Sequence, residues 1–218
     1  MKAYVPVLEK YSRQADRYDR RWNRTFGQAL LDAAVEAVPW TDDMERILDV
    51  GCGTGSLEEA IYPLPRPIGV VGVDASIAML RQAQAKLNGA DHGRLCWSNA
   101  LAEALPFRSG SFDAVVCANS FHYYRRPWQV LQEFHRVLRP GGCLVLADWC
   151  ADYLACKLGH WALRVADRTG LHSYGLERCY SMEEGAGLLT QAGFRIESAR
   201  RFEVDWQWGV MVYRARTR

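Results

Sequence analysis

The chain has 218 residues, of which 49% are hydrophobic and 24% charged, with a formal net charge of +2. That balance excludes disordered and collagen-like chains and gives no broad cationic face for nucleic acid. The length suits one large α/β domain with additional elements. The longest apolar runs, such as Cys143 to Ala147, fall far short of the roughly 18 residues needed to span a bilayer. The opening residues carry no apolar core or cleavage site of a secretory signal, so a cytoplasmic location is expected. The seven cysteines include no Cys-x-x-Cys and lie mostly in apolar runs, which predicts reduced thiols.

In chain order, Val7, Tyr11, Ala15, Tyr18, Trp22 and Phe26 recur at helical spacing and predict an amphipathic N-terminal helix. Its basic residues Arg13, Arg17, Arg20, Arg21 and Arg24 are interrupted by Asp16 and Asp19, as on a solvated face. A second helix is expected over Gln28 to Val38. Short β-branched runs then alternate with helical segments, which predicts a parallel sheet covered on both faces. The strands are placed at Arg46–Val50, Ile68–Asp74, Arg94–Ser98, Asp113–Ala118 and Cys143–Trp149. Helices fall between them at Ser56–Tyr62, Ile77–Asn88 and Trp128–Leu138, the last closed by Pro140, Gly141 and Gly142. Residues 151–180 read as an irregular cover with no clear strand. A helix over Met182–Ala192 and a hairpin of Arg195–Val204 and Trp208–Arg214 end the chain.

The most informative run is Leu48-Asp49-Val50-Gly51-Cys52-Gly53-Thr54-Gly55, a strand feeding a glycine-rich turn that opens a helix. Dinucleotide enzymes share that pattern, and an NAD-linked oxidoreductase is one reading of it. Asp49 argues against it, because its carboxylate would oppose a pyrophosphate and attract a ligand carrying an ammonium group, such as S-adenosylmethionine. Asp74 ends the second strand 19 residues after Gly55, where a carboxylate can accept from both ribose hydroxyls.

Five ordered motifs extend this reading: Leu48 to Gly55, Val73 to Leu80, Ala102 to Phe107, Ser111 to Val116 and Phe134 to Gly142. Together they resemble class I S-adenosylmethionine-dependent methyltransferases of the type-11 kind, the group of the ubiquinone and menaquinone C-methyltransferases. The resemblance covers about Tyr18 to Trp149, and Ala15 to Asp19 is similar to the family's N-terminal helix. It implies a Rossmann-like, doubly wound α/β fold: a seven-stranded, mostly parallel sheet with a C-terminal antiparallel hairpin strand and helices on both faces. One domain is expected, with residues 1–40 a helical cover, 41–149 the cofactor core, 150–180 a substrate cover and 181–218 the final helix and hairpin.

The resemblance also implies site residues. Asp49, Gly51, Cys52 and Gly53 would meet the methionine end of the cofactor, Asp74 and Ala75 the ribose, Met79 the adenine face, and Asn99 and Ala100 the adenine edge, with Asn119 nearby. The family usually has Asp at the Asn99 position; Asn accepts a hydrogen bond there without charge assistance. His122 follows the fourth strand and Asp148 ends the fifth, where ligands of open α/β sheets bind, so these two are the candidate catalytic residues. Tyr11, Tyr18, Phe121, Tyr123 and Trp149 are candidate substrate residues around a sulfonium. No metal site is expected, because the spacing of His160, His172, Cys150, Cys156 and Cys179 fits no standard zinc site.

The expected activity is methyl transfer from S-adenosyl-L-methionine, leaving S-adenosyl-L-homocysteine, to O, N or C of a small-molecule acceptor in a desolvated aromatic pocket. Two alternatives stand beside it: a thiol or metalloid methyltransferase using Cys150, Cys156 and Cys179, and a non-catalytic protein that binds the same cofactor. No nucleic acid and no membrane span are expected, and the chain would be a monomer or homodimer.

Overall fold

The computed structural model describes residues 5–20, 27–63, 68–87, 94–168 and 178–218. Its centre is a seven-stranded sheet in the order β3-β2-β1-β4-β5-β7-β6. The strands are β1 (Arg46–Val50), β2 (Gly69–Asp74), β3 (Leu95–Asn99), β4 (Phe112–Ala118), β5 (Leu138–Trp149), β6 (Phe194–Asp205) and β7 (Trp208–Thr217). Strands β1 to β5 pair in parallel, and β7 runs antiparallel to both β5 and β6. This is the doubly wound sheet with a terminal antiparallel strand that the sequence implies.

Successive side chains on a strand point to opposite faces, so each central strand feeds two cores. Leu48, Val50, Val73, Val115 and Leu144 pack on one face with Val130, Leu131 and Phe134 of α5 (Pro127–Val137) and Leu189 of α7 (Met182–Gln191). Ile47, Val70, Ala114, Val116 and Val145 pack on the other with Leu30 and Ala34 of α2 (Gln28–Ala37) and Leu57 and Ile61 of α3 (Ser56–Ile61). The remaining helices are α1 (Val5–Gln14), α4 (Ile77–Lys86) and α6 (Leu154–Arg168).

Local chemistry fixes the boundaries. Ser76 caps α4 by accepting from the Met79 amide, Pro127 occupies the first turn of α5, and Ser181 and Glu184 form a reciprocal capping box on α7. Several motif residues outside the glycine loop act as staples. The Asp113 carboxylate accepts from the Glu45 and Arg46 amides and pairs with Arg139 at 2.8 Å, tying together the starts of β1, β4 and β5. Arg136 donates to the Phe107 and Leu105 carbonyls and to Glu133, which in turn accepts from the Leu105 amide. These bonds hold the segment after β3 against α5.

Three expectations are corrected. The N-terminal helix ends at Gln14, and a 3-10 turn follows at Tyr18–Arg20, because Asp19 is drawn onto the glycine loop by Thr54 (2.7 Å) and Lys86 (2.8 Å). Trp22 and Phe26 lie outside the described residues. Pro140, Gly141 and Gly142 do not close α5: that helix ends at Val137, the chain is already extended at Leu138, and the Pro-Gly-Gly run lies in β5 near a register irregularity between Phe112 and Ala114. The cover read as irregular holds the 15-residue helix α6.

Candidate functional site

The sheet order reverses between β1 and β4, and at such a switch point the loops leaving adjacent strands part to form a crevice. A cleft opens there. Its floor is Gly51 and Gly53 after β1, Asp74, Ala75 and Ser76 after β2, Ala100 to Glu103 after β3, and Ser120, Tyr123 and Tyr124 after β4. Met79 of α4 forms a wall, and Leu8 and Tyr11 of α1 with Tyr18 form the cover.

The loop after β1 is shaped by left-handed glycines. Gly51 has φ 80°, and a Cβ there would fall on the Ser120 side chain and lie 3.2 Å from the Tyr124 hydroxyl. Its need for glycine is therefore set by packing inside the protein as well as by the approach of a ligand. Gly53 has φ 55° and nothing within 4 Å of an added Cβ, so it is the glycine whose open side lies toward the cleft. The Gly53 amide donates to Asp74 Oδ2 at 3.0 Å, and the Ser76 amide donates to Asp74 Oδ1 at 2.7 Å. Each carboxylate oxygen keeps a further lone pair for a ligand hydroxyl. Burial raises the Asp74 pKa, and these two N–H groups oppose the rise.

Asp49 is buried beneath the loop and outside the cleft lining. Burial, with Glu58 and Asp74 as negative neighbours, holds its pKa well above the usual carboxylate range. Glu58, on α3, was not anticipated from sequence. It is fully buried, neither carboxyl oxygen has a hydrogen-bond partner among the described residues, and burial pushes its pKa up to about 8. A Cβ on Gly72 would lie 2.5 Å from Glu58 Oε1, so the glycine in the middle of β2 is the sequence trace of this carboxyl. Three acidic side chains thus gather around the glycine loop. Of the three only Asp74 lines the cleft, where its carboxylate suits paired hydroxyls and opposes a pyrophosphate.

Of the other expected cofactor residues, Ala75, Met79 and Ala100 line the cleft. Cys52 is buried with its thiol directed at the Gly53 carbonyl, and burial raises its pKa. Asn99 is exposed outside the lining and donates to the Asp74 carbonyl at 2.9 Å. Asn119, at φ 56°, donates its amide to Ala147 and also stands outside the lining.

The aromatic candidates divide. Tyr11, Tyr18 and Tyr123 meet in the cleft, with ring centroids 5.6 Å apart for Tyr11–Tyr18 and 5.5 Å for Tyr11–Tyr123, both edge to face. The Tyr11 hydroxyl donates to that of Tyr123. Burial raises the pKa of both phenols, so they are neutral. Phe121 is not brought to the cleft; it is fully buried against Tyr124 and Tyr180. Trp149 packs edge to face on Trp208 and is likewise outside the lining. Tyr124 and Ser120 do line it, two positions the sequence reading left out.

His122 and Asp148 form a buried pair. The Asp148 carboxylate takes the His122 amide at 2.9 Å and the ring Nδ1 at 2.7 Å. In the tautomer that donates from Nδ1 to Asp148, Nε2 is left as an acceptor. Asp148 therefore orients the imidazole, whose ring centroid lies 4.0 Å from that of Tyr123. Neither His122 nor Asp148 lines the cleft, whereas Tyr123 does.

His160, on α6, has a buried Nε2 without a partner, and burial with the nearby His122 lowers its pKa to about 4. His172 lies outside the described residues. The Cys156 and Cys179 thiols are directed at the Gly209 and Trp149 carbonyls at 3.4 and 3.6 Å, and burial raises the pKa of all three cover cysteines, that of Cys150 to about 11. Burial therefore disfavours their thiolate forms. Among the described residues no group of three or more His, Cys, Asp or Glu side chains is placed to hold a metal.

The sequence matches the family model described as methyltransferase domain over residues 48–146. It is 33% identical over 193 residues to a ubiquinone/menaquinone biosynthesis C-methyltransferase of Syntrophotalea carbinolica, covering 81% of this chain and 76% of that one. It is 33% identical over 157 residues to the 27-O-demethylrifamycin SV methyltransferase of Amycolatopsis mediterranei, covering 71% and 56%. Across such curated relatives the alignments span from about half of the relative's length, 48% for one from Geobacter sulfurreducens, upward. Among solved structures, the fold matches the Burkholderia thailandensis 1,6-didemethyltoxoflavin-N1-methyltransferase, with bound 1,6-didemethyltoxoflavin and S-adenosylhomocysteine. That likeness has TM-score 0.75 at 18% identity, covering 98% of this chain and 88% of that one.

Proposed function

The chain belongs to the class I S-adenosylmethionine-dependent methyltransferases of type 11, and on that premise we propose that it methylates a small, largely apolar or aromatic acceptor within the cleft. The observation that carries this reading is the meeting of Tyr11, Tyr18 and Tyr123 over the loop whose floor is Asp74 and Gly53. When bound, the cofactor supplies a methyl group already activated on a positively charged sulfur. Asp74, Ala75 and Met79 would hold its nucleoside part, and Gly51 and Gly53, over the buried Asp49, its amino acid end.

The chain's own work is then to bind, to orient and to exclude water. The tyrosines supply aromatic faces that attract a cationic centre, and their edge-to-face packing keeps the cover dry. Where the acceptor must lose a proton, His122 is the group to take it: Asp148 fixes its tautomer and stabilises the imidazolium that forms. Asp148 is thus a positioning residue and His122 the candidate base. Both stand outside the cleft lining, with the His122 ring centroid 4.0 Å from that of Tyr123, which lines it.

The test is calorimetric titration of S-adenosylmethionine followed by transfer of labelled methyl into cell extract. Saturable binding and a labelled small molecule support the reading, and the mass of that molecule identifies the acceptor. Binding without transfer, repeated with extracts supplemented with aromatic phenols, amines and quinols, would leave only the non-catalytic alternative.

A further inference from the structure

Helix α6 is seated by its inner side. The Ala155 amide donates to the Gln207 carbonyl at 3.1 Å, the Cys156 thiol lies 3.4 Å from the Gly209 carbonyl, and a Cβ on Gly159 would meet the Trp208 ring at 2.6 Å. With that side fixed against the hairpin, a turn of about 100° per residue places Leu154, Leu158, Trp161 and Val165 in one strip about 60° wide on the outer side. Their exposures are 57%, 55%, 65% and 39%. Trp206, 79% exposed, stands on the hairpin turn that bonds to the first turn of α6. Large apolar side chains are otherwise exposed on the described surface only at Ile77 and Trp128, so the apolar surface is concentrated here. Lys157 and Arg164 flank the strip on one edge, both exposed and neither in an ion pair among the described residues.

We propose that this face of α6 docks the protein on an anionic lipid surface. The strip runs about 16 Å along the helix and is one side chain wide, much less than the roughly 800 Å² per partner that a specific protein interface buries. An antiparallel two-fold pairing of the helix with a second copy would also set the Lys157–Arg164 edge against itself, a repulsion that a bilayer avoids. At a lipid surface the same arrangement is complementary: Leu and Trp side chains enter the headgroup boundary while the lysine and arginine reach phosphate. Of the carboxylates around the strip, Glu183 shares a concavity with Leu154 and Lys157, and three others are engaged. Asp205 and Glu203 accept from the Trp206 and Gln207 amides at 2.7 Å, and Asp152 pairs with Arg201. The inference does not depend on which acceptor is methylated.

The experiment is flotation of the full chain with phosphatidylcholine vesicles containing about one third phosphatidylglycerol, and with phosphatidylcholine alone, while tryptophan emission is followed. The expected result is flotation with the anionic vesicles, a blue shift in emission and weakening by salt. Leu158→Ser with Trp161→Ser lowers partitioning about tenfold or more, and Lys157→Ala with Arg164→Ala lowers it about fivefold per charge. All substitutions are on the surface, and unchanged circular dichroism and unchanged S-adenosylmethionine binding show that each variant is folded. Absence of flotation overturns the proposal, as does flotation that the serine variant leaves intact. A dimer in light scattering that the serine variant abolishes, without vesicle binding, assigns the face to a second copy and equally overturns it.

Discussion

Glu58→Gln isolates the charge of a carboxyl that folding buries without a partner. In the unfolded chain this group titrates near 4.5, and in the folded protein near 8, because burial penalises the ionised form more than its own backbone N–H and then Lys86 relieve it. Between those values the folded state holds a proton that the unfolded state has released, so stability falls as pH rises through that window. Integrated at about 1.4 kcal/mol per pH unit, the wild type loses about 3 kcal/mol between pH 5 and pH 8 relative to a variant that cannot ionise there. For a chain of this size that corresponds to a melting temperature gap that widens by about 6 to 12 °C. Asp49, raised by the same burial and by Glu58, adds a pH slope of the same sign to both proteins. Differential scanning calorimetry of the two proteins across that range is the assay. Parallel curves would refute the reasoning, since they would mean that Glu58 ionises freely and reaches solvent or a cation in the folded protein.

Three further outcomes are expected. Asp74→Ala removes the acceptor of the Gly53 and Ser76 amides as well as the ligand's partner, and should weaken S-adenosylmethionine binding by about 1.5 to 3 kcal/mol in calorimetry. Wild-type affinity in that variant would remove the ribose role. Gly51→Ala forces a Cβ onto Ser120 and should lower stability by about 1 to 3 kcal/mol in urea unfolding, whereas Gly53→Ala meets no neighbour and should cost less stability while still weakening the cofactor. Asp148→Asn, read in the pH profile of turnover, should lower kcat about tenfold or more and shift the acidic limb, with cofactor affinity held; a pure loss of stability with an unchanged profile would make the pair structural.

Strands β1, β2 and β4 were legible because they are short, apolar and buried on both faces, a pattern that survives without tertiary information. The cofactor side of the cleft was legible for the same reason: Gly51, Gly53, Asp74 and Met79 follow strand ends in a fixed order. What escaped depends on contacts distant in sequence. The pull of Thr54 and Lys86 on Asp19 breaks a helix whose spacing runs on to Phe26, and nothing local signals it. In Phe121-His122-Tyr123-Tyr124 the tight 3-10 turn sends Phe121 into the core and Tyr123 and Tyr124 to the cleft, a choice that composition leaves open. Glu58 reads as an ordinary helix-surface acid next to Glu59, and only the missing side chain at Gly72 hints otherwise. The α6 spacing was present at Leu154, Leu158, Trp161 and Val165, but that stripe faces outward, whereas apolar periodicity is ordinarily read as a core face.

The most direct test of the central claim is transfer of radiolabelled methyl from S-adenosylmethionine by the purified protein into a small-molecule extract, run beside Asp74→Ala. Label appearing in a small organic product with the wild type, and falling with the variant in proportion to its loss of cofactor affinity, is the result expected. Saturable binding of NAD in place of S-adenosylmethionine, with no label transferred, would contradict the account, because the Asp74 carboxylate in the cleft would then be tolerating a pyrophosphate.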